Sequence, residues 1–225
     1  MIKITQKIIY SVLSIMLLFL SCKYDDNNKA FKIQEGDLLF QDTGTDDIDN
    51  AIKSVTATSL SKNYSHVGMA MQTKGMWFVI EAIPLKGITK TPLQDFLDRN
   101  KNDEQKSQTT VARLNENYQK YIPKAIEYGI SRLKTPYDDV FLWDDNTYYC
   151  SELIYKMFSF QNLEKNSIPF VTHPMTFKDS TGKTSPSWIK YYKELKQPIP
   201  EGDIGTNPNL MAGSQHIRFI YDYAK

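Results

Sequence analysis

The chain is poor in cysteine and histidine, with two cysteines and three histidines in 225 residues. Two cysteines cannot build a disulfide-rich scaffold. His66, His173 and His216 are scattered and show no zinc-ligand spacing, so no metal site and no cofactor are expected. Charge of one sign is also missing. The 27 basic side chains are balanced by 26 acidic ones, which excludes a chain-wide basic field for nucleic acid. No apolar run reaches the roughly 20 residues that a membrane-spanning helix needs. Internal repeats and a second domain boundary are absent. What remains is ordinary: 41% apolar and 24% charged residues, which exclude wholesale disorder and coiled coil. The length suffices for one well-packed core.

The N-terminus reads as an address. Lys3 and Lys7 precede an apolar run of 13 residues, Ile8 to Leu20, and the stretch ends in Phe19-Leu20-Ser21-Cys22. That anatomy fits a signal peptide, and its end resembles a bacterial lipobox, with Phe19 where leucine is more usual. The resemblance implies that residues 1–21 are removed and that Cys22 carries lipid. The alternative is an ordinary secretory signal or an uncleaved anchor. Removal takes two of the 27 basic residues and no acid, leaving 25 against 26. The acyl chains, not a polybasic patch, would therefore hold the protein on a membrane. Residues 22–33 are polar at first, without a hydrophobic pattern, and read as a flexible tether. Lys23 followed by two acids is similar to the surface-export signal of Bacteroidota lipoproteins. The expected location is the cell envelope, as an outer-membrane lipoprotein facing the periplasm or the surface. The rest, 34–225, reads as one domain.

Within that domain, Gly36 to Phe40 reads as a turn entering a strand, and Asp46 to Val55 as a short amphipathic helix. Ser65 to Met71 alternates, placing Val67, Met69 and Met71 on one face and His66, Gly68 and Ala70 on the other. Thr73-Lys74-Gly75 is a turn signal, so Trp77 to Glu81 follows as the second strand of a hairpin. Thr91-Pro92 reads as a cap opening a helix through Leu97, and 99–108 as a loop. Thr109 to Leu114 is a strand, Tyr118 to Leu133 one helix, and 136–147 an acidic loop. Cys150 to Phe160 is a helix, followed by another near 187–195, a loop over 197–209 and a closing strand at 216–223. Strands and helices without regular alternation predict an α+β fold.

Cys150 stands at or just before the start of its helix, beside unpaired backbone N–H groups and the positive end of the helix dipole. Both favour thiolate, and the same N–H groups can receive an oxyanion. The competing reading is a small buried hydrophobe. His66 opens a strand whose neighbours on its face are small, leaving room for another element or a ligand; a lone histidine can equally be structural. Glu81 ends an apolar run and needs a partner. If Lys74-Gly75 is a two-residue turn, 68 faces 81 and 66 faces 83, which sets Glu81 diagonally across from His66. A slip of one residue would separate them, and Glu81 would then be a solvent-facing strand-end glutamate. Together the three supply a nucleophile, a base and an orienting carboxylate. Tyr137 and Tyr149 either line the cleft or belong to the core. Asp138, Asp139, Asp144 and Asp145 fit no calcium-loop spacing and read as solvated.

These residues carry a resemblance. Gly36-Asp37, Ser65-His66-Val67-Gly68, Glu81, Pro136-Tyr137-Asp138, Tyr149-Cys150-Ser151-Glu152-Leu153 and the late loop Pro200 to Pro208 resemble the YiiX/YebB-like circularly permuted papain-fold amidases, relatives of NlpC-type cell-wall hydrolases. It covers roughly 34–223. It implies a small antiparallel sheet packed on helices, with the histidine preceding the cysteine in the chain. It further implies Cys150, His66 and Glu81 as catalytic residues, Tyr137 and Tyr149 against substrate, and an amide of a peptidoglycan stem peptide or a similar aminoacyl amide as substrate. The alternatives are lipid or thioester acyl chemistry on the same fold, and a binding module without turnover. Glu81→Gln is expected to cut turnover and leave the fold intact.

Overall fold

Lys74 and Gly75 both take positive φ, 51° and 77°. That is the backbone of a two-residue type I′ turn, whose twist matches that of the strands it joins. It closes the hairpin of β2 (His66–Thr73) and β3 (Met76–Ile83) with Thr73 opposite Met76 and Met69 opposite Ile80. The computed structural model describes residues 31–43, 47–56, 62–161 and 168–225. The signal segment, Cys22 and the tether up to residue 30 lie outside them. The folded unit runs from Ile33 to Lys225, and no helix among the described residues is long and apolar enough to cross a membrane.

In chain order the strands are β1 (Leu38–Gln41), β2, β3, β4 (Gly87–Pro92), β5 (Thr109–Leu114), a two-residue pair β6 (His173–Pro174) and β7 (Ile204–Gly205), and β8 (Ile217–Asp222). Six of them form one antiparallel sheet in the order β4-β3-β2-β1-β5-β8. The helices are α1 (Asp47–Val55), α2 (Leu93–Asp98), α3 (Glu116–Gln119), α4 (Ile122–Ser131), α5 (Cys150–Ser159), α6 (Pro186–Leu195) and α7 (Pro208–Ala212). The α+β class and the small antiparallel sheet packed on helices follow the sequence reading.

Alternation in β2 sorts its side chains as the sequence indicated. Val67, Met69 and Met71 join the main core with Leu38, Phe40, Ile80 and the inner faces of α4 and α5. Ala70 faces the other way, packing with Leu39 and Val79 under Phe96 and Leu97 of α2. The element admitted by the small residues of β2 is therefore α2. Four side chains of α5, Leu153, Ile154, Met157 and Phe158, are fully buried. Each contributes about 1.5–3 kcal/mol on burial, which anchors the helix by the face away from its N-terminus. A third cluster joins Ala51 of α1 to Phe177, Trp188 and Tyr192.

Three local expectations are corrected. The single helix over 118–133 is two, α3 and α4, with Pro123 in the first turn of the second. A proline there lacks an N–H and crowds the carbonyl four residues back, so a helix cannot run through it. Thr91 and Pro92 end a strand, β4, which the sequence reading missed; β4 is the edge of the sheet, where proline costs no ladder bond. The loop over 197–209 contains β7 and the start of α7, capped by Asn207, whose side chain accepts from the Leu210 N–H at 2.8 Å.

Gly68 is needed for a close approach. A Cβ placed there would lie 2.4 Å from Val79 Cγ1 and 3.1 Å from the Ile80 carbonyl oxygen. Gly68→Ala is expected to destabilise the fold by about 1–3 kcal/mol through overpacking, read as a lowered Tm. An unchanged Tm would contradict the hairpin packing.

Candidate active site

Cys150 is the first residue of α5, preceded by Tyr149 in extended conformation. Its side chain sits at the helix mouth, 6% exposed, with the main core on one side and a cavity on the other. His66 is the first residue of β2, paired with Gln41 of β1. The hairpin register extends to put Gly68 opposite Glu81, and the Glu81 Cβ lies 3.3 Å from a Cβ built on Gly68. Glu81 then reaches diagonally to His66, with Oε2 2.7 Å from Nε2. Cys150 lies close enough to act on the imidazole, and with Glu81 it is what raises the His66 pKa. The structure thus joins His66 to Glu81 directly and brings Cys150 near enough to influence the imidazole.

The carboxylate is held further than the sequence suggested. Glu81 has no exposed surface. Arg99 grips it with two N–H groups, Nη2 to Oε2 at 2.5 Å and Nη1 to Oε1 at 3.0 Å, and Thr91 donates its hydroxyl to Oε1 at 2.5 Å. Arg99 also donates Nε and Nη2 to Gln41 Oε1 at 3.2 Å, while Gln41 Nε2 donates to Thr109 and to the Phe96 carbonyl. The guanidinium stacks 4.4 Å over the Phe96 ring. Bidentate, charge-assisted pairing of this kind fixes a carboxylate in place as well as neutralising it.

Burial alone would lower the pKa of His66; the hydrogen bonds to Cys150 and then to Glu81 overcome it and raise the value to about 9. Burial would raise Glu81, but His66 and then Arg99 bring it down to about 2. At neutral pH the pair is imidazolium and carboxylate. The raised His66 stabilises the fold fully below pH 6.5 and loses that contribution as pH rises through about 9. The lowered Glu81 stabilises it above pH 4.5 and loses its contribution as pH falls toward about 2. The His66 part amounts to roughly 3 kcal/mol. Tm measured against pH should therefore fall below about 4.5 as Glu81 protonates and fall again between 6.5 and about 9 as His66 deprotonates, with buried Glu152 adding a decline between about 4.5 and 8. In His66→Ala the decline between about pH 8 and 9 should be lost, while the decline below about 8 that Glu152 carries remains; persistence above pH 8 would contradict the assignment.

Two cavities meet at this point. One, beside Cys150, has a volume of about 70 Å³ and apolar walls from Ile52, Val55, Phe141, Phe177 and Trp188. The other, beside His66, measures about 450 Å³ and includes Thr43, Ser65, Arg99, Asp139 and Tyr191. Tyr137 borders both; burial first, then Cys150, holds its phenol well above the usual range, so it stays protonated. Tyr149 lines the smaller cavity, where its hydroxyl accepts the Thr206 N–H at 3.1 Å and so ties down the loop before α7. Thr206, Asn207 and Pro208 of that loop line the same cavity.

Several site residues were missed. Arg99 was read only as part of a charged loop, and Gln41, Thr91 and Thr109 were not singled out. Glu152, in the first turn of α5, is also buried. Its carboxyl is pushed up to about 8 by burial, against the pull of Lys156, whose Nζ lies 3.0 Å from Oε1. The acidic loop is not simply solvated. Asp138 is 4% exposed and accepts from the Val140 and Phe141 N–H groups, and Asp145 pairs with Lys156.

In papain-like enzymes the cysteine precedes the histidine; here residue 66 precedes residue 150 and the fold still joins them. Residues 32–221 match the family model described as permuted papain-like amidase enzyme, YaeF/YiiX, C92 family. The chain belongs to this family. The permuted papain-like amidases are cysteine peptidases or amidases, and the chain shares their fold. A curated relative, the uncharacterized protein YiiX of Escherichia coli (strain K12), is 32% identical over 148 residues, 63% of this chain and 65% of that protein. The crystal structure of yiiX from Escherichia coli O157:H7 aligns with a TM-score of 0.67 at 22% identity, over 85% of this chain and 98% of that one. That protein is described as a metalloprotein. Among the described residues of this chain, no three His, Cys, Asp or Glu side chains gather in a way that could hold a metal ion. The described residues therefore do not fit a protein-ligated metal centre.

Proposed function

We propose that the protein is a cysteine hydrolase that cleaves an amide bond through an acyl-enzyme, with Cys150 as nucleophile, His66 as acid and base, and Glu81 as the orienting carboxylate. The observation that carries this reading is the buried His66–Glu81 pair, fixed by Arg99, with Cys150 at the start of α5 acting on the imidazole. The sulfur attacks the amide carbonyl, and backbone N–H groups at the start of α5 face the developing oxyanion. The C–N bond breaks as His66 gives its proton to the leaving amine, and a thioester remains on Cys150. A water then attacks the thioester carbonyl, giving a proton to His66. The C–S bond breaks, releasing the acid and restoring thiolate and imidazolium.

The substrate class we favour is a peptidoglycan stem peptide or a similar aminoacyl amide, met in the cell envelope. The lipobox-like end of the signal segment supports attachment of the mature chain to the outer membrane through Cys22. In this reading Tyr137, which borders both cavities, contacts substrate at the scissile bond, and Tyr149 forms a wall. The apolar lining beside Cys150 favours one second reading, thioester or lipid acyl chemistry on the same residues.

The test is incubation of the protein with defined muropeptides, N-acyl amino acids and acyl thioesters, with Cys150→Ala as control. Amide cleavage that disappears in the control is the expected result. Cleavage confined to thioesters would favour the second reading. No turnover of any class would leave a lipid-anchored binding module. Tyr137→Phe is expected to lower kcat/KM on a cleaved amide about 10-fold or more through loss of one phenol hydrogen bond, and an unchanged value would place Tyr137 outside the substrate site.

A further inference from the structure

The two cavities differ in size and polarity, and the chemistry decides which half of a substrate enters each. The acyl group stays on the sulfur after the first step, so it must lie on the Cys150 side. The leaving amine receives its proton from the imidazole, so it must lie on the His66 side. The acyl half therefore faces a cavity of about 70 Å³, and the amine half one of about 450 Å³.

A dry cavity of about 150 Å³ holds a benzene ring, six carbon atoms. By the same measure about 70 Å³ holds about three. The back of this cavity is stiff. Trp188 and Phe177 are 2% and 4% exposed and pack edge to face, with ring centroids 5.0 Å apart and planes at 89°. Phe141 meets Trp188 at 5.9 Å and 90°. Interlocked aromatic rings of this kind do not swing aside cheaply, because each holds the next in its rotamer. The softer wall is Met175, whose unbranched side chain lies against Gly205; a Cβ built on Gly205 would meet its Sδ at 2.3 Å.

We infer that the acyl side of the cleft selects a short aliphatic group, about three carbon atoms beyond the scissile carbonyl, and rejects long acyl chains. This rests on the reading of Cys150 as nucleophile and narrows its substrate to amides that join a small apolar acyl residue to a larger, polar amine. A fatty acyl chain of twelve or more carbons far exceeds a cavity of about 70 Å³. Of the two chemistries weighed for this fold, the lipid version is the one the cavity volume opposes.

Acylation of Cys150 by p-nitrophenyl esters reads the acyl cavity independently of amide turnover. The sulfur attacks the ester carbonyl, nitrophenolate leaves, and the acyl group adds to the protein mass. Acetate, isobutyrate, hexanoate and octanoate esters form the series, with Cys150→Ala as control. The expected rate is highest at isobutyrate and falls at least about tenfold by hexanoate, since a misfit of one or more methylenes in an apolar pocket is worth roughly 10–200-fold. Met175→Ala, which opens the soft wall and touches none of Cys150, His66 or Glu81, should raise the hexanoate-to-isobutyrate ratio about tenfold. Rates that are flat or rise with chain length would overturn the inference while leaving the nucleophile in place. A short-chain preference without cleavage of any amide would keep the inference and end the amide reading. Failure of every ester to acylate Cys150 would end both.

Discussion

Cys150→Ala is expected to lower kcat/KM on any amide substrate by at least about four orders of magnitude. The reasoning is chemical before it is structural. Without the sulfur no acyl-enzyme forms. The fold should tolerate the change. Cys150 is the first residue of α5, and the helix is held by Leu153, Ile154, Met157 and Phe158 on its far side. The loss of a small, mostly buried side chain costs about 1 kcal/mol, far less than the effect on rate. A combined measurement of kcat/KM and Tm separates the two. Retention of more than about a tenth of the activity, with an unchanged fold, would remove Cys150 from the mechanism.

The second large effect is expected from Glu81→Gln, and the structure changes what that variant does. The amide keeps the shape but not the charge. His66 loses one of the two hydrogen-bonding partners that raise it to about 9, so its pKa falls and less imidazolium is present at neutral pH. Turnover should drop about 10²–10⁴-fold, the range for disabling a positioned acid–base group. Arg99 meanwhile keeps Gln41 but loses a bidentate carboxylate partner. Breaking a buried pair costs about 3–5 kcal/mol, and Arg99 is 29% exposed, so solvent screening places the cost at or below the lower end. Glu81 is thus expected to support both stability and turnover, where the sequence alone suggested a variant with an intact fold. The pH profile distinguishes the roles: a merely structural carboxylate would lower Tm without moving the alkaline limb of kcat/KM. Full activity with an unmoved limb would show that the orienting group is another residue.

The site's core was legible where local chemistry fixes geometry. Lys74-Gly75 can form only a few turns, and a two-residue turn sets the pairing of β2 with β3 residue by residue, hence the diagonal from His66 to Glu81. The helix beginning at Cys150 was readable from its apolar spacing. The broken helix at Pro123 was readable too, because a proline's effect on a helix is local, yet the strong apolar spacing around it masked the break. What the sequence hid depends on distant contacts. Arg99 follows the end of α2 among charged neighbours, and nothing near it points to a carboxylate 18 positions earlier. Gln41 and Thr109 lie in strands that otherwise read as apolar, and their use becomes visible only when β1 pairs with β5. The walls of the small cavity come from α1, the loop before α5, the segment around Phe177 and α6, so its volume is a property of packing that no local pattern encodes. Glu152 was quoted within a motif, but its burial follows from how the 138–147 loop folds over α5.

The central claim is that an imidazolium is held between the sulfur of Cys150 and the carboxylate of Glu81. NMR titration of the His66 ring in the wild-type protein and in Cys150→Ala tests it directly. The account predicts a midpoint near pH 9 in the wild type, moving clearly downward in Cys150→Ala, because Cys150 is the largest influence raising it. A wild-type midpoint at or below 6.5, or one that does not respond to loss of the sulfur, would contradict it.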